Sequence, residues 1–158
     1  MKSTDEATIE YVSAKESDQV SRKLLSWLNR YQNFPAGIRS IDFEYLGEDK
    51  PCMALSTIQG AYKTVQYISG GYVAQYQFKL IYRAQPNTNS DRLKMDEALD
   101  LMADMAIYRF SEKEDYPDIG DGLNVTELTC DTRSGFFGRY ENGDEDHQIL
   151  MTMEYERK

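Results

Sequence analysis

The sequence predicts an α+β domain, an antiparallel or mixed β-sheet with two main helices packed on one face. Three observations lead there. Across residues 72–83 every second side chain is apolar (Tyr72, Ala74, Tyr76, Phe78, Leu80, Tyr82) and those between are polar except Val73 and Ile81, a period of two that no helix produces. Two other segments, 17–31 and 90–110, carry apolar residues at helical spacing. The order of elements is helix, several strands, helix, two strands, with hairpin-like pairs and no βαβ alternation.

The elements follow in chain order. Residues 1–16, rich in Ser, Thr, Lys and Glu, are expected to form a flexible N-terminal arm ahead of a single domain over 17–158. Ser17 or Asp18 can cap a first helix whose stripe is Val20, Leu24, Trp27, Leu28 and Tyr31. Asn33, Pro35 and Gly37 end it. Residues 38–46 read as a strand with Ile41, Phe43 and Tyr45 on one side, and 53–58 as a second. Residues 62–68, the turn Ser69, Gly70, Gly71 and residues 72–83 read as a hairpin. In its second arm Tyr72, Ala74, Tyr76, Phe78, Leu80 and Tyr82 share one face. The breaker at 86–89 precedes a second helix from about Ser90, with Met95, Leu99, Met102, Ala106 and Phe110 inward. An acidic loop over 112–122, a strand over 123–132, a loop over 133–146 and a last strand over 148–156 complete the chain.

Composition narrows the function. A chain of 158 residues fits one domain and buries about 70% of its unfolded surface. Hydrophobic residues make up 41% of it, including 12 tyrosines, which suit half-buried sheet faces and protein interfaces. The formal net charge of -9 argues against tight nucleic-acid binding, which needs Lys and Arg against phosphates. The first residues are polar and acidic, so no secretion signal is expected, and no apolar run approaches the length of a membrane span. Cys52 and Cys130 lack a CxxC or a histidine neighbour and are expected to be buried free thiols; spacing leaves a disulfide open.

The parts of an enzyme are missing from the sequence, and no catalysis or cofactor is expected. The one histidine, His147, falls in a loop with Glu141, Asp144, Glu145 and Asp146 and reads as solvated. No Ser–His–Asp or Cys–His pairing exists except through it, and no phosphate-binding glycine motif is present. Asn142-Gly143 ahead of Asp144 reads as a turn before a metal site, and Asp115, Asp118 and Asp121 form an equally weak oxygen cluster. The aromatics Tyr72, Tyr76, Phe78 and Tyr82 read as a helix-covered sheet face in preference to a base-stacking platform, because no basic groove accompanies them.

One set of motifs has a familiar order. The turn from Tyr67 to Tyr72 (YISGGY) runs into Gln75 to Arg83 (QYQFKLIYR); an acidic Asp118 to Gly122 loop follows, then Ser134 to Phe137 (SGFF), then an alternating strand from Gln148 to Arg157. Across residues 17–157 the chain resembles the minor capsid protein family of long-tailed phages of Gram-positive bacteria, related to the tail terminators. The resemblance implies a structural virion protein at the head–tail junction, without catalytic residues. Its copies would form a ring, commonly a hexamer, that caps the tail tube and meets the head connector. Without a secretion signal or membrane span, assembly in the host cytoplasm is expected, and if the acidic loops face the lumen of such a ring, DNA would pass without sticking because like charges repel. Tyr62, Tyr67, Tyr72, Phe136 and Phe137 are the candidate contacts with other copies or partners, with core packing the alternative for Phe136 and Phe137. Other readings are a head-completion or connector adaptor, a soluble ligand-binding module, and a metal-assisted hydrolase.

Overall fold

The computed structural model describes residues 9–30, 34–112, 115, 117–120 and 122–158. It is an α+β fold, with eight strands in one mixed sheet and two helices on one of its faces. Two 13-residue strands form the centre. Tyr72–Ala84 (β5) pairs antiparallel with Glu145–Arg157 (β8) along the whole of both. Shorter strands lie end to end outside them. Beside β5 lie Tyr62–Gln66 (β4) and Cys52–Thr57 (β3), and beside β8 lie Leu123–Cys130 (β6) and Gly135–Arg139 (β7). Glu10–Tyr11 (β1) borders β4, and Ile41–Phe43 (β2) runs parallel to β3, the only parallel pair among the described residues. The sheet therefore has two levels, with edges β1 and β6 at one and β2 and β7 at the other.

The alternation in β5 divides the sheet into two faces. Tyr72, Ala74, Tyr76, Phe78, Leu80 and Tyr82 are buried beneath the helices, with Ile149, Met151, Met153 and Tyr155 of β8 beside them. Helix α1, Ala14–Asn29, adds Val20, Leu24, Trp27 and Leu28 to this core; Tyr31 lies outside the described residues. Helix α2, Asn89–Ser111, adds Met95, Leu99, Met102, Ala103 and Ala106. Truncating one such large core side chain to alanine typically costs about 2–5 kcal/mol. The opposite face carries Gln75, Gln77, Lys79, Thr152 and Glu154, all half-buried.

Several boundaries differ from the sequence reading. Helix α1 begins at Ala14, because Ser13 is the cap: its Oγ accepts the Glu16 N–H at 3.1 Å. Of the expected arm, residues 10 and 11 form β1, Val12 is buried and residues 14–16 belong to α1, while residues 1–8 lie outside the described residues. Residues 38–46 yield only the three-residue β2: Glu44 takes a positive φ of 52°, which ends the extended run and leaves Phe43 and Tyr45 exposed. Helix α2 starts one residue before Ser90 on a capping box between Thr88 and Asp91. The loop expected over 133–146 contains β7 and the first two residues of β8.

Candidate functional site

The outer edge of β7 is one candidate surface. The turn over 140–143 sets it up: the Gly143 N–H donates to the Tyr140 carbonyl at 3.0 Å, and Gly143 takes a φ of 94°. Asn142-Gly143 is thus a hairpin turn. Strand alternation sends the two phenylalanines to different faces, and a bulge at Phe137 returns Arg139 to the face of Phe136. Phe136 is 55% exposed on the helix face, with the Arg139 guanidinium 5.1 Å from its ring centroid. Phe137 is 53% exposed on the other face, under the Lys79 ammonium at 4.9 Å. Tyr140, also exposed, lies against Arg83 at 4.7 Å. Cations over ring faces are attracted by the ring quadrupole, so each ring of this edge carries a cation: Arg139 and Arg83 are also paired with Glu145 and Asp146, while Lys79 makes no ion pair among the described residues.

The edge at β2 is different. Asp42 is exposed on the face away from the helices and Phe43 on the helix side, followed by Tyr45, also exposed. A polar recess of about 610 Å³ opens here, with Asp42, Glu48 and Asp49 among its walls together with Arg39 and Lys50. The backbone of β2 is partly closed to a further strand. The Asn29 side chain accepts the Ile41 N–H at 2.7 Å and donates to the Ile41 carbonyl at 2.9 Å.

The hairpin candidates separate. Tyr67 is exposed beside the turn, with Val65 and Ile68. Tyr62 is half-buried and donates to Gln75 Oε1 at 2.9 Å. Tyr72 is 8% exposed and offers no contact surface, because it sits on the helix face of β5 and its hydroxyl donates to Glu16. Glu16 also accepts from the Tyr155 hydroxyl at 2.8 Å and from Arg157 at 3.2 Å, so two tyrosines and an arginine surround this buried carboxylate. Burial, then the Glu16 carboxylate, push both phenols above their ordinary range.

His147 is not a loop residue. It belongs to β8, beneath the start of α2, and is 2% exposed. Its Nδ1 lies 2.7 Å from Asp96 Oδ1 and its Nε2 lies 2.8 Å from Glu145 Oε1. Glu145 also accepts from Arg92 at 3.0 Å and Arg139 at 3.1 Å. Burial pushes the Glu145 carboxyl up, but the hydrogen bonds from His147, Arg92 and Arg139 outweigh it and hold it at about 2. Ser134 Oγ donates to the same Asp96 oxygen at 2.8 Å. The order is therefore serine–carboxylate–histidine–carboxylate. With a carboxylate at each ring nitrogen, neither is placed to receive a proton from Ser134, and the cluster ties α2, β7 and β8 together.

The acidic loops are likewise held by neighbours. Asp115 accepts from Arg109 at 2.7 Å and from Trp27 Nε1 at 3.2 Å, while Arg109 lies over the Trp27 ring at 4.2 Å. Asp118 accepts the Gly120 N–H at 3.0 Å, and Asp121 lies outside the described residues. Asp144 takes hydrogen bonds from Gln85 at 2.9 Å and Asn142 at 3.1 Å. Among the described residues no group of three or more His, Cys, Asp or Glu is arranged to hold a metal ion. Cys52 and Cys130 are free and half-buried, in different strands, and burial pushes both thiols up. No described helix is long and apolar enough to cross a membrane.

No family model and no curated protein matches this chain. Sequence reasoning singled out Phe136 and Phe137 but missed the cations over them, which come from elsewhere in the fold (Lys79) and from further along β7 (Arg139). The β2 recess was also missed, since its walls come from a strand and the loop after it. The buried His147 cluster had a signal: period two, extended back from Ile149, places His147 and Glu145 on the helix face.

Proposed function

We propose that the chain is a structural subunit of a phage particle at the head–tail junction, resembling a tail terminator. Copies would form a ring on the end of the tail tube and present a surface to the head connector. The observation that carries this reading is the distribution of exposed large hydrophobic side chains. They include residues on both edges of one level of the sheet, Phe43 and Tyr45 at one and Phe136 and Phe137 at the other, and Tyr67 and Ile68 at the hairpin tip; others stand on β1 (Tyr11) and on α2 (Leu93, Leu101, Tyr108). Apolar groups on two unlike edges suit a subunit whose surface is completed by neighbours. The net charge of -9 fits passage of DNA past such a ring without adhesion.

Electron microscopy of the purified protein mixed with tail tubes tests this. The expected result is a ring of density at one end of the tube and tubes of limited length. Tubes that continue to grow with bare ends would overturn the terminator reading. Binding to the isolated connector without binding to tubes would favour an adaptor on the head side.

A further inference from the structure

We propose that copies of this chain join head to tail through opposite edges of the sheet. The aromatic edge of β7, with Lys79 beside it, in one copy seats against Asp42 of β2 and the polar recess around it in the next. This deepens the ring reading and rests on it for the premise that the chain self-associates.

Register places the two surfaces. Ile41, Met53, Tyr82, His147 and Phe136 are successive partners across β2, β3, β5, β8 and β7, so one row spans the sheet from edge to edge. A neighbour added sideways, without inversion, meets β2 with its β7 at the same level. Strand senses agree: β5 is antiparallel to both β3 and β8, β2 is parallel to β3, and β7 is antiparallel to β8. β7 and β2 therefore run in opposite directions, and a neighbour's β7 would face β2 as an antiparallel strand does.

The surfaces also match in charge on one side of the sheet and in apolar character on the other. On the face away from the helices, Phe137 projects with Lys79 above it, while Asp42 lies exposed at the other edge beside a polar recess of mixed charge. On the helix face, Phe136 and Arg139 correspond to the exposed Phe43. Complementary charge of this kind fixes register and rejects wrong partners. Because Asn29 already holds the Ile41 backbone, contact runs through side chains and not through a continued ladder. The angle between copies is then free to differ from that of a growing sheet, as ring closure requires.

Analytical ultracentrifugation of the full chain tests the pairing with Lys79→Glu and Asp42→Lys, two residues that make no ion pair among the described residues. Wild-type protein is expected to form species larger than dimers. Each variant alone should associate about tenfold more weakly or worse, because its own edges then repel. An equimolar mixture should recover assembly. The β7 edge of the Lys79→Glu variant then meets the β2 edge of the Asp42→Lys variant with the charges exchanged, and the remaining edges keep the native pair. If wild type assembles and both variants assemble equally well alone, the edge assignment is wrong while the ring reading stands. If the mixture stops at dimers, the contact is not head to tail. A wild-type chain that stays monomeric at every concentration overturns this proposal together with its premise.

Discussion

His147 in β8 and Asp96 in α2 are joined at 2.7 Å across the boundary between sheet and helix, and the other ring nitrogen of His147 reaches Glu145 at 2.8 Å. The bond fixes the first half of α2 to the start of β8 where the hydrophobic core gives way to charge. Removing the imidazole takes one donor from a carboxylate with 1% of its side chain exposed. His147→Ala is expected to cost about 3 kcal/mol in urea unfolding. Asp96→Ala, whose carboxylate is 31% exposed, should cost nearer about 1 kcal/mol. Equal losses would show that the imidazole is held by packing alone.

Acid should loosen the same corner. The Glu145 carboxyl is held at about 2, below its ordinary 4.5, so the folded state binds its proton later than the unfolded chain does. Its contribution is complete above about pH 4.5 and is lost as pH falls toward 2, with a ceiling on the order of 3 kcal/mol. Urea midpoints measured between these limits should fall with pH in wild type and fall less steeply in Glu145→Gln. Parallel curves for the two proteins would contradict the assignment.

The Glu16 network makes a separate prediction. Tyr155→Phe keeps the ring in the core but removes the hydroxyl that donates to Glu16 at 2.8 Å. Since the acceptor is a charged group, the expected loss is about 2 kcal/mol. Tyr72→Phe should behave alike, and the double variant should lose less than the sum if Arg157 shifts to cover the carboxylate. Strict additivity, read by thermal melts, would argue against a shared network.

The paired glycines of the β4–β5 turn should respond differently. Gly70 has a φ of 98° and open space where a side chain would stand, so Gly70→Ala should cost about 1 kcal/mol of backbone strain. Gly71 is crowded: an added Cβ would meet the Arg157 carbonyl oxygen and the Lys158 backbone. Gly71→Ala is expected to cost more and to displace the end of β8, visible as lost amide protection around residue 157. Equal effects of the two substitutions would refute the close approach.

Much of this architecture is legible in the sequence where one physical signal dominates. β5 is read correctly along both faces, because twelve alternating positions admit no other regular structure. The helix stripes of α1 and α2 are equally plain. Errors arise where polar residues belong to regular structure. Ser13 and Glu16 have the spacing of a helix start, but their charged surroundings resemble an arm. Glu145 and His147 continue the strand that Ile149 anchors, yet their acidic neighbours mimic a loop. Burial of these groups depends on Asp96, Arg92 and Arg139, partners distant in sequence or on another strand, and no local pattern encodes that pairing. For Phe136 and Phe137 the sequence leaves contact surface and core packing both open, and their place on an edge strand leaves both rings exposed.

The long pairing of β5 with β8 has a consequence for biosynthesis. Among the described strands, the one that completes the middle of the sheet is translated after all the others, and its partner is made some seventy residues earlier. Until residues 145–157 have left the ribosomal tunnel, β5 lacks a neighbour along one whole side and its aromatic face lacks half of its lining. The nascent chain must hold that surface exposed or shielded by chaperones, and closure then proceeds late through contacts distant in sequence.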